Sequence, residues 1–100
     1  MIDLARIAGF DWDDGNARKS NDKHAVSQAE AEQIFISERL VLAEDIKHSE
    51  SEMRYQVLGQ TLDGRRLHVT FTLRRQGTLI RVISARNMNR KERARYEEEA

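Results

Sequence analysis

Residues 65–86, RRLHVTFTLRRQGTLIRVISAR, constrain the fold of this chain more than any other stretch. The first half alternates strictly, with Leu67, Val69, Phe71 and Leu73 on one face and His68, Thr70, Thr72 and Arg74 on the other. That period of two is the pattern of a half-buried strand. Gln76-Gly77 supplies the glycine a tight turn needs. The second half then returns with Ile80, Val82, Ser84 and Arg86 on one face, and Leu79, Arg81, Ile83 and Ala85 on the other. A two-residue turn sets Phe71 opposite Val82 and Thr72 opposite Arg81; a slip of one residue exchanges the faces. Arginine on so rigid an element is a well-positioned fork of donors for phosphate.

The 100 residues suffice for one domain around one core, spanning 1–100. The chain has no cysteine, which removes disulfides and thiolate metal sites and fits a reducing, cytoplasmic setting. No apolar run approaches the roughly 20 residues of a membrane span, so no membrane association is expected. Net charge is zero but unevenly spread. Residues 1–63 hold 7 Lys/Arg against 13 Asp/Glu, whereas residues 64–95 hold 10 against 1. A basic block of that strength on strands and a helix suits a polyanion or an acidic partner. The alternative is a solvated surface that pairs internally with the acidic half.

Ile2, Leu4, Ile7 and Phe10 open the chain as a helical turn or an extended lead-in, and residues 10–12 alternate like a short edge strand. Trp12 either stacks on a base or closes one end of the core, the commoner use of the residue. Asp13 or Asp14 caps a polar helix over about 15–22, which lacks an apolar stripe and should be short and peripheral. Lys23 and His24 then fall in a turn that leads into a second helix. That helix is announced by Ser27 and Glu30 at capping-box spacing, runs to about Ser37, and buries Ala31, Ile34 and Phe35. Residues 40–46 and 54–62 read as strands, with a polar connection around His48 between them. Asp63-Gly64 is a strong hairpin signal. A final helix over 90–98, with Met88, Ala94 and Tyr96 as its few apolar contacts, should dock weakly or serve a partner. The fold class is therefore α+β: N-terminal helices, an antiparallel meander sheet of about four strands, and one C-terminal helix. No glycine-rich phosphate loop or nucleophile triad is legible, and His24 and His48 lack a third ligand at a plausible spacing, so no metal or other cofactor is expected.

Several motifs occur in a telling order: Phe10-x-Trp12-Asp13, Asn21-x-Lys23-His24-x-Val26-Ser27, Glu30-Ala31 with Phe35, and Asp45-x-x-His48-Ser49. Glu52-x-Arg54-Tyr55, Gly59, Gly64-Arg65-x-Leu67-x-Val69-x-Phe71-Thr72-x-Arg74, Ile83-Ser84-Ala85-Arg86 and Arg93-x-x-Tyr96 complete the set. This series resembles the BrnT family of toxins from bacterial type II toxin–antitoxin modules, over about residues 10–96. One departure is Ala25, where the family usually carries glycine.

The resemblance implies a RelE-like ribonuclease fold and a metal-independent RNA endonuclease that arrests translation. It also implies a BrnA-type antitoxin in a hetero-oligomer, through which alone DNA would be contacted. Such cleavage uses the 2′-hydroxyl as nucleophile on the adjacent phosphate. It needs proton transfer and cations for the charge gathering on the phosphorane. On the resemblance, Arg54, Arg74 and Arg86 supply cations, His24 moves the proton, and Lys23 stabilises charge. His48 and Arg81 help bind substrate, and His48 or Glu52 is an alternative for proton transfer, since histidine titrates near neutral pH. A non-catalytic nucleic-acid-binding or protein-interaction module is the competing reading. Retained RNA affinity without cleavage would distinguish the former.

Overall fold

The computed structural model describes residues 3–45 and 52–100. His48, with most of the polar connection predicted around it, lies outside the described residues. The alternating stretch forms the centre of a sheet. Its first arm is β4 (Arg66–Arg74), with neighbours β3 (Tyr55–Gln60) and β5 (Leu79–Asn87), both antiparallel to it. Outside β3 lies β2 (Val41–Glu44), also antiparallel, and outside β5 lies β1 (Gly9–Phe10), which is parallel. The order is β1-β5-β4-β3-β2.

The sheet is thus five-stranded and mixed, which corrects the expected four-strand antiparallel meander. The addition is the N-terminal segment, entered through a 3-10 turn at Leu4–Arg6. The backbone N–H of Ala8 donates to Thr78 O at 2.7 Å and that of Asp11 to Ile80 O at 2.8 Å. Without these bonds, part of the β5 edge would present unpaired polar groups.

Phe71 pairs with Val82 and Thr72 with Arg81, the expected register. The connection, however, is a turn over residues 75–78, in which Arg75, Gln76 and Gly77 all have positive φ (50°, 57° and 85°). A larger departure follows. Thr70 pairs with Ser84, so Ile83 is an extra residue and the ladder has a bulge there. Because side chains alternate, one inserted residue exchanges the faces beyond it. Ile80 and Val82 point into the core, and so does Ala85, while Ser84 and Arg86 emerge on the opposite face beside His68 and Thr70. This corrects the expectation that Ile80, Val82, Ser84 and Arg86 share a face.

One face carries the main core. Leu67, Val69, Phe71, Val57, Ile80, Val82 and Ala85 meet Ala31 and Ile34 from α2 (Gln28–Phe35). The predicted capping box is present: Ser27 Oγ accepts from Glu30 N–H, and Glu30 Oε1 accepts from Ser27 N–H at 3.0 Å. Gly59 lets α2 lie close on β3, since a Cβ there would stand 2.6 Å from Ile34 Cγ2. Phe10, Phe35, Phe71 and Tyr55 run through this core as successive ring contacts, with centroids 5.5, 4.9 and 5.5 Å apart. Trp12 packs against the same cluster, with Nε1 donating to Glu32 at 2.7 Å.

Helix α1 (Asp14–His24) is longer and less peripheral than its lack of an apolar stripe suggested. Polar side chains hold it. Asn16 shares a capping box with Asp13 and donates through Nδ2 to Val82 O at 3.0 Å; Ser20 Oγ accepts from Ala85 N–H at 2.7 Å. Both are buried, and together they cover the stretch of β5 edge that β1 does not reach. Lys23 and His24 are therefore the last two residues of α1, and Ala25 is its cap, at φ 54° and ψ 39°. Arg65 seals that end, donating to the carbonyls of His24 (3.0 Å) and Ala25 (2.8 Å), to Glu30 and to Asn87.

On the second face, α3 (Arg90–Glu99) covers part of the sheet, its Tyr96 packing with Met88, just before the helix, on Val41 and Leu58. It is anchored rather than weakly docked. Tyr96 is 2% exposed, its hydroxyl donates to Arg39 O at 2.7 Å, and the guanidinium groups of Arg39 and Arg66 lie 5.7 and 5.8 Å from its ring centre. One aromatic with a satisfied hydroxyl does here what an apolar stripe does elsewhere. Among the described residues, the rest of this face forms a cleft.

Candidate functional site

The cleft on the second face has a volume of about 330 Å³. It is lined by Arg54 just before β3, Gln56 on β3, His68 and Thr70 on β4, Ile83, Ser84 and Arg86 on β5, Lys19 of α1, Glu92 of α3, and Asp45. Strand pairing sets these side chains in rows: Gln56, Thr70 and Ser84 lie across one line of the sheet, and His68 and Arg86 across the next. A second concavity of about 270 Å³, lined by Leu4, Ile7, Ala8, Gly9, Phe10, Phe35, Ile36 and Ile80, contains no acid–base group.

Three residues form the cleft's charged centre. Arg86 donates in bidentate fashion to Glu92, from Nη1 to Oε1 at 2.8 Å and from Nη2 to Oε2 at 2.9 Å. Glu92 is fixed in turn as the third residue of α3, where its Oε1 accepts the N–H of the capping residue Asn89 at 2.9 Å. His68, 6% exposed, directs Nε2 towards Glu92 Oε2 at 3.6 Å, and its Nδ1 has no hydrogen-bond partner among the described residues. A buried, incompletely satisfied imidazole is uncommon and calls for an explanation.

The electrostatics follow from this packing. Burial pushes the His68 pKa below its ordinary value, and Arg86 adds to that, while Glu92 and Asp45 act in the opposite sense. His68 is thus a neutral imidazole near pH 7. Burial works against the charge on Glu92, but hydrogen bonds from Arg86 and Asn89 and the nearby positive field outweigh it, so its carboxyl titrates below the usual range. The bond to Glu92 raises Arg86 in turn. The cleft holds a neutral base beside a fixed carboxylate and a fixed guanidinium.

Of the residues singled out from sequence, Arg54 and Arg86 come together in this cleft. Arg74 lies near the far end of β4, ion-paired with Glu52. Arg81 pairs with Asp13 at 3.0 Å and with Asp11 at 3.7 Å. Lys23 and His24 sit at the end of α1, and His48 lies outside the described residues. Internal pairing also takes up much of the basic block: Arg65, Arg66, Arg74, Arg81, Arg86 and Arg95 all have carboxylate partners. Sequence reasoning missed His68 and Glu92. Glu92 had a signal, as the single acid among the ten bases of residues 64–95. His68 had only its place on the polar face of the central strand.

Fold and cleft together define an α+β domain with a polar, histidine-bearing cleft on one face of its sheet. The chain belongs to the family described as the ribonuclease toxin BrnT of type II toxin–antitoxin systems, which it matches over residues 12–92. It is therefore a member of a family of ribonuclease toxins that work opposite an antitoxin protein. No curated protein matches this chain. Among the described residues, no helix is long and apolar enough to cross a membrane.

Proposed function

We propose that the protein cleaves RNA in this cleft without a metal, by attack of a 2′-hydroxyl on the adjacent phosphate. The observation that carries the reading is the triad of His68, Glu92 and Arg86 on the sheet face that also holds Arg54 and Lys19. Arg54, Arg86 and Lys19 bind the phosphate and offset the charge that gathers on it. His68, neutral at pH 7, accepts the 2′-hydroxyl proton, and the Glu92 carboxylate that faces its Nε2 stabilises the imidazolium that forms. The P–O5′ bond breaks, and the 5′-oxygen leaves with a proton drawn from water, which His68 afterwards returns. The products are a 2′,3′-cyclic phosphate and a 5′-hydroxyl.

Cleavage of cytoplasmic RNA by this route arrests translation, and a BrnA-type antitoxin neutralises it by covering the cleft with acidic and apolar groups. Partner-free protein incubated with a structured RNA in EDTA tests the chemistry. Fragments ending in 2′,3′-cyclic phosphate are expected. They should be formed about 10²–10³-fold more slowly by Arg86→Ala, the scale of losing one donor to developing charge. His68→Gln should cost about 10²–10⁴-fold, the range for a proton-transfer group. Intact RNA from the parent protein, or cleavage untouched in His68→Gln, would sink the assignment.

A further inference from the structure

Helix α1 does more than shield β5. Asn16 and Ser20 tie it to Val82 and Ala85, which fixes both its rotation and its direction along the strand. The Arg65 guanidinium spans the far end, bonding the His24 carbonyl and the Asn87 side chain together. The last turn of α1 therefore lies near the Arg86–Asn87 end of β5. At 3.6 residues per turn, Lys19 and Lys23 fall within about 60° of Asn16 around the helix axis, on the side that borders β5. Lys19 lines the cleft, and Lys23 stands one turn on, about 6 Å further along the axis.

Neither lysine has a carboxylate partner among the described residues, whereas Arg81 and Arg86 on the adjoining strand both do. Two like charges one turn apart are mildly unfavourable by themselves. A bound polyanion reverses that sign. We infer that Lys19 and Lys23 form a phosphate track along the border of the cleft, holding consecutive backbone phosphates of the RNA strand as it leaves the scissile position. The inference rests on the cleft being the RNA site, so binding must be read apart from cleavage.

The probe is a fluorescent RNA of about ten nucleotides, 2′-O-methylated so that it cannot be cut, titrated by anisotropy at several salt concentrations. Each phosphate contact on a single strand contributes about 0.7 to the slope of log affinity against log salt. Lys23→Ala should lower the slope by about 0.7 and Lys19→Ala/Lys23→Ala by about 1.4. Arg75→Ala, in the β4–β5 turn, should leave it unchanged. Binding whose slope ignores both lysines overturns the track and leaves the cleft standing, and so does an equal drop with Arg75→Ala, which would mean diffuse attraction. No binding by the parent protein overturns track and cleft together. A lysine-dependent slope in a protein that cuts no RNA supports the track and overturns the catalytic reading alone.

Discussion

On the proposed mechanism His68 moves the proton, and its burial leaves a signature that does not depend on substrate. Its pKa lies below the ordinary value of 6.5, chiefly through burial, with Arg86 adding to the fall and Glu92 and Asp45 opposing it. The unfolded chain therefore binds a proton at this residue before the folded chain does. Folding stability rises with pH between the lowered folded value and about 6.5, and is lost as pH falls through that window. Glu92 has the same sign but acts lower, since its carboxyl is depressed from 4.5. Thermal midpoints measured from pH 7.5 down to 5 should accordingly fall, and His68→Gln should flatten the decline. An equally steep decline in the variant would place the titrating group elsewhere.

At the scale of elements, Ala25 offers the clearest test. It ends α1 in the left-handed region, where its amide donates to Asn21 O at 3.0 Å and that of Val26 to Ser20 O at 3.3 Å. An L-residue with a Cβ pays about 1–2 kcal/mol for that conformation. Glycine avoids the cost but adds about 0.4–1 kcal/mol of unfolded-state entropy. Ala25→Gly should thus gain about 0.5–1 kcal/mol and raise the melting midpoint by about 2–8 °C. A midpoint that stays level or drops would mean the cap is not strained.

The same scale shows what could be read in advance. Period-two alternation, the Ser27–Glu30 box and Asp63-Gly64 located β4, α2 and the β3–β4 turn, because each is a local pattern with a local cause. Three features had non-local causes. The bulge at Ile83 turns Arg86 out of the core face, and nothing within the strand's own pattern marks an inserted residue. Helix α1 is held by Asn16 and Ser20 on a strand edge more than 60 residues away in sequence, so apolar periodicity had no purchase on it. Pairing of β1 with β5 is likewise a long-range contact between two short stretches. The candidate site suffered from the same limit. Arg54 and Arg86 stood out individually, but the partners that give them a chemical setting, His68 and Glu92, are adjacent only once strand and helix are packed.

Across the whole molecule, one set of charges has two separable consequences. Much of the basic block is spent in pairs near the surface, and such pairs stabilise a fold by only about 0–1 kcal/mol each. Raising salt screens them, but little folding free energy depends on them; the thermal midpoint should move by no more than about 3 °C between 50 and 200 mM salt. On the proposed function, RNA binding draws on the cations that line the cleft, Lys19, Arg54 and the Glu92-paired Arg86, extended by Lys23. Three or four phosphate contacts on a single strand give a salt slope of about −2 to −3, so affinity should drop about 20–50-fold over the same interval. Measuring both quantities on one preparation separates the two roles of the charge. If affinity and midpoint fell together, binding would be tracking the folded fraction rather than the cleft. If affinity fell by several hundredfold with the midpoint steady, far more of the basic surface than the cleft and α1 would have to touch RNA.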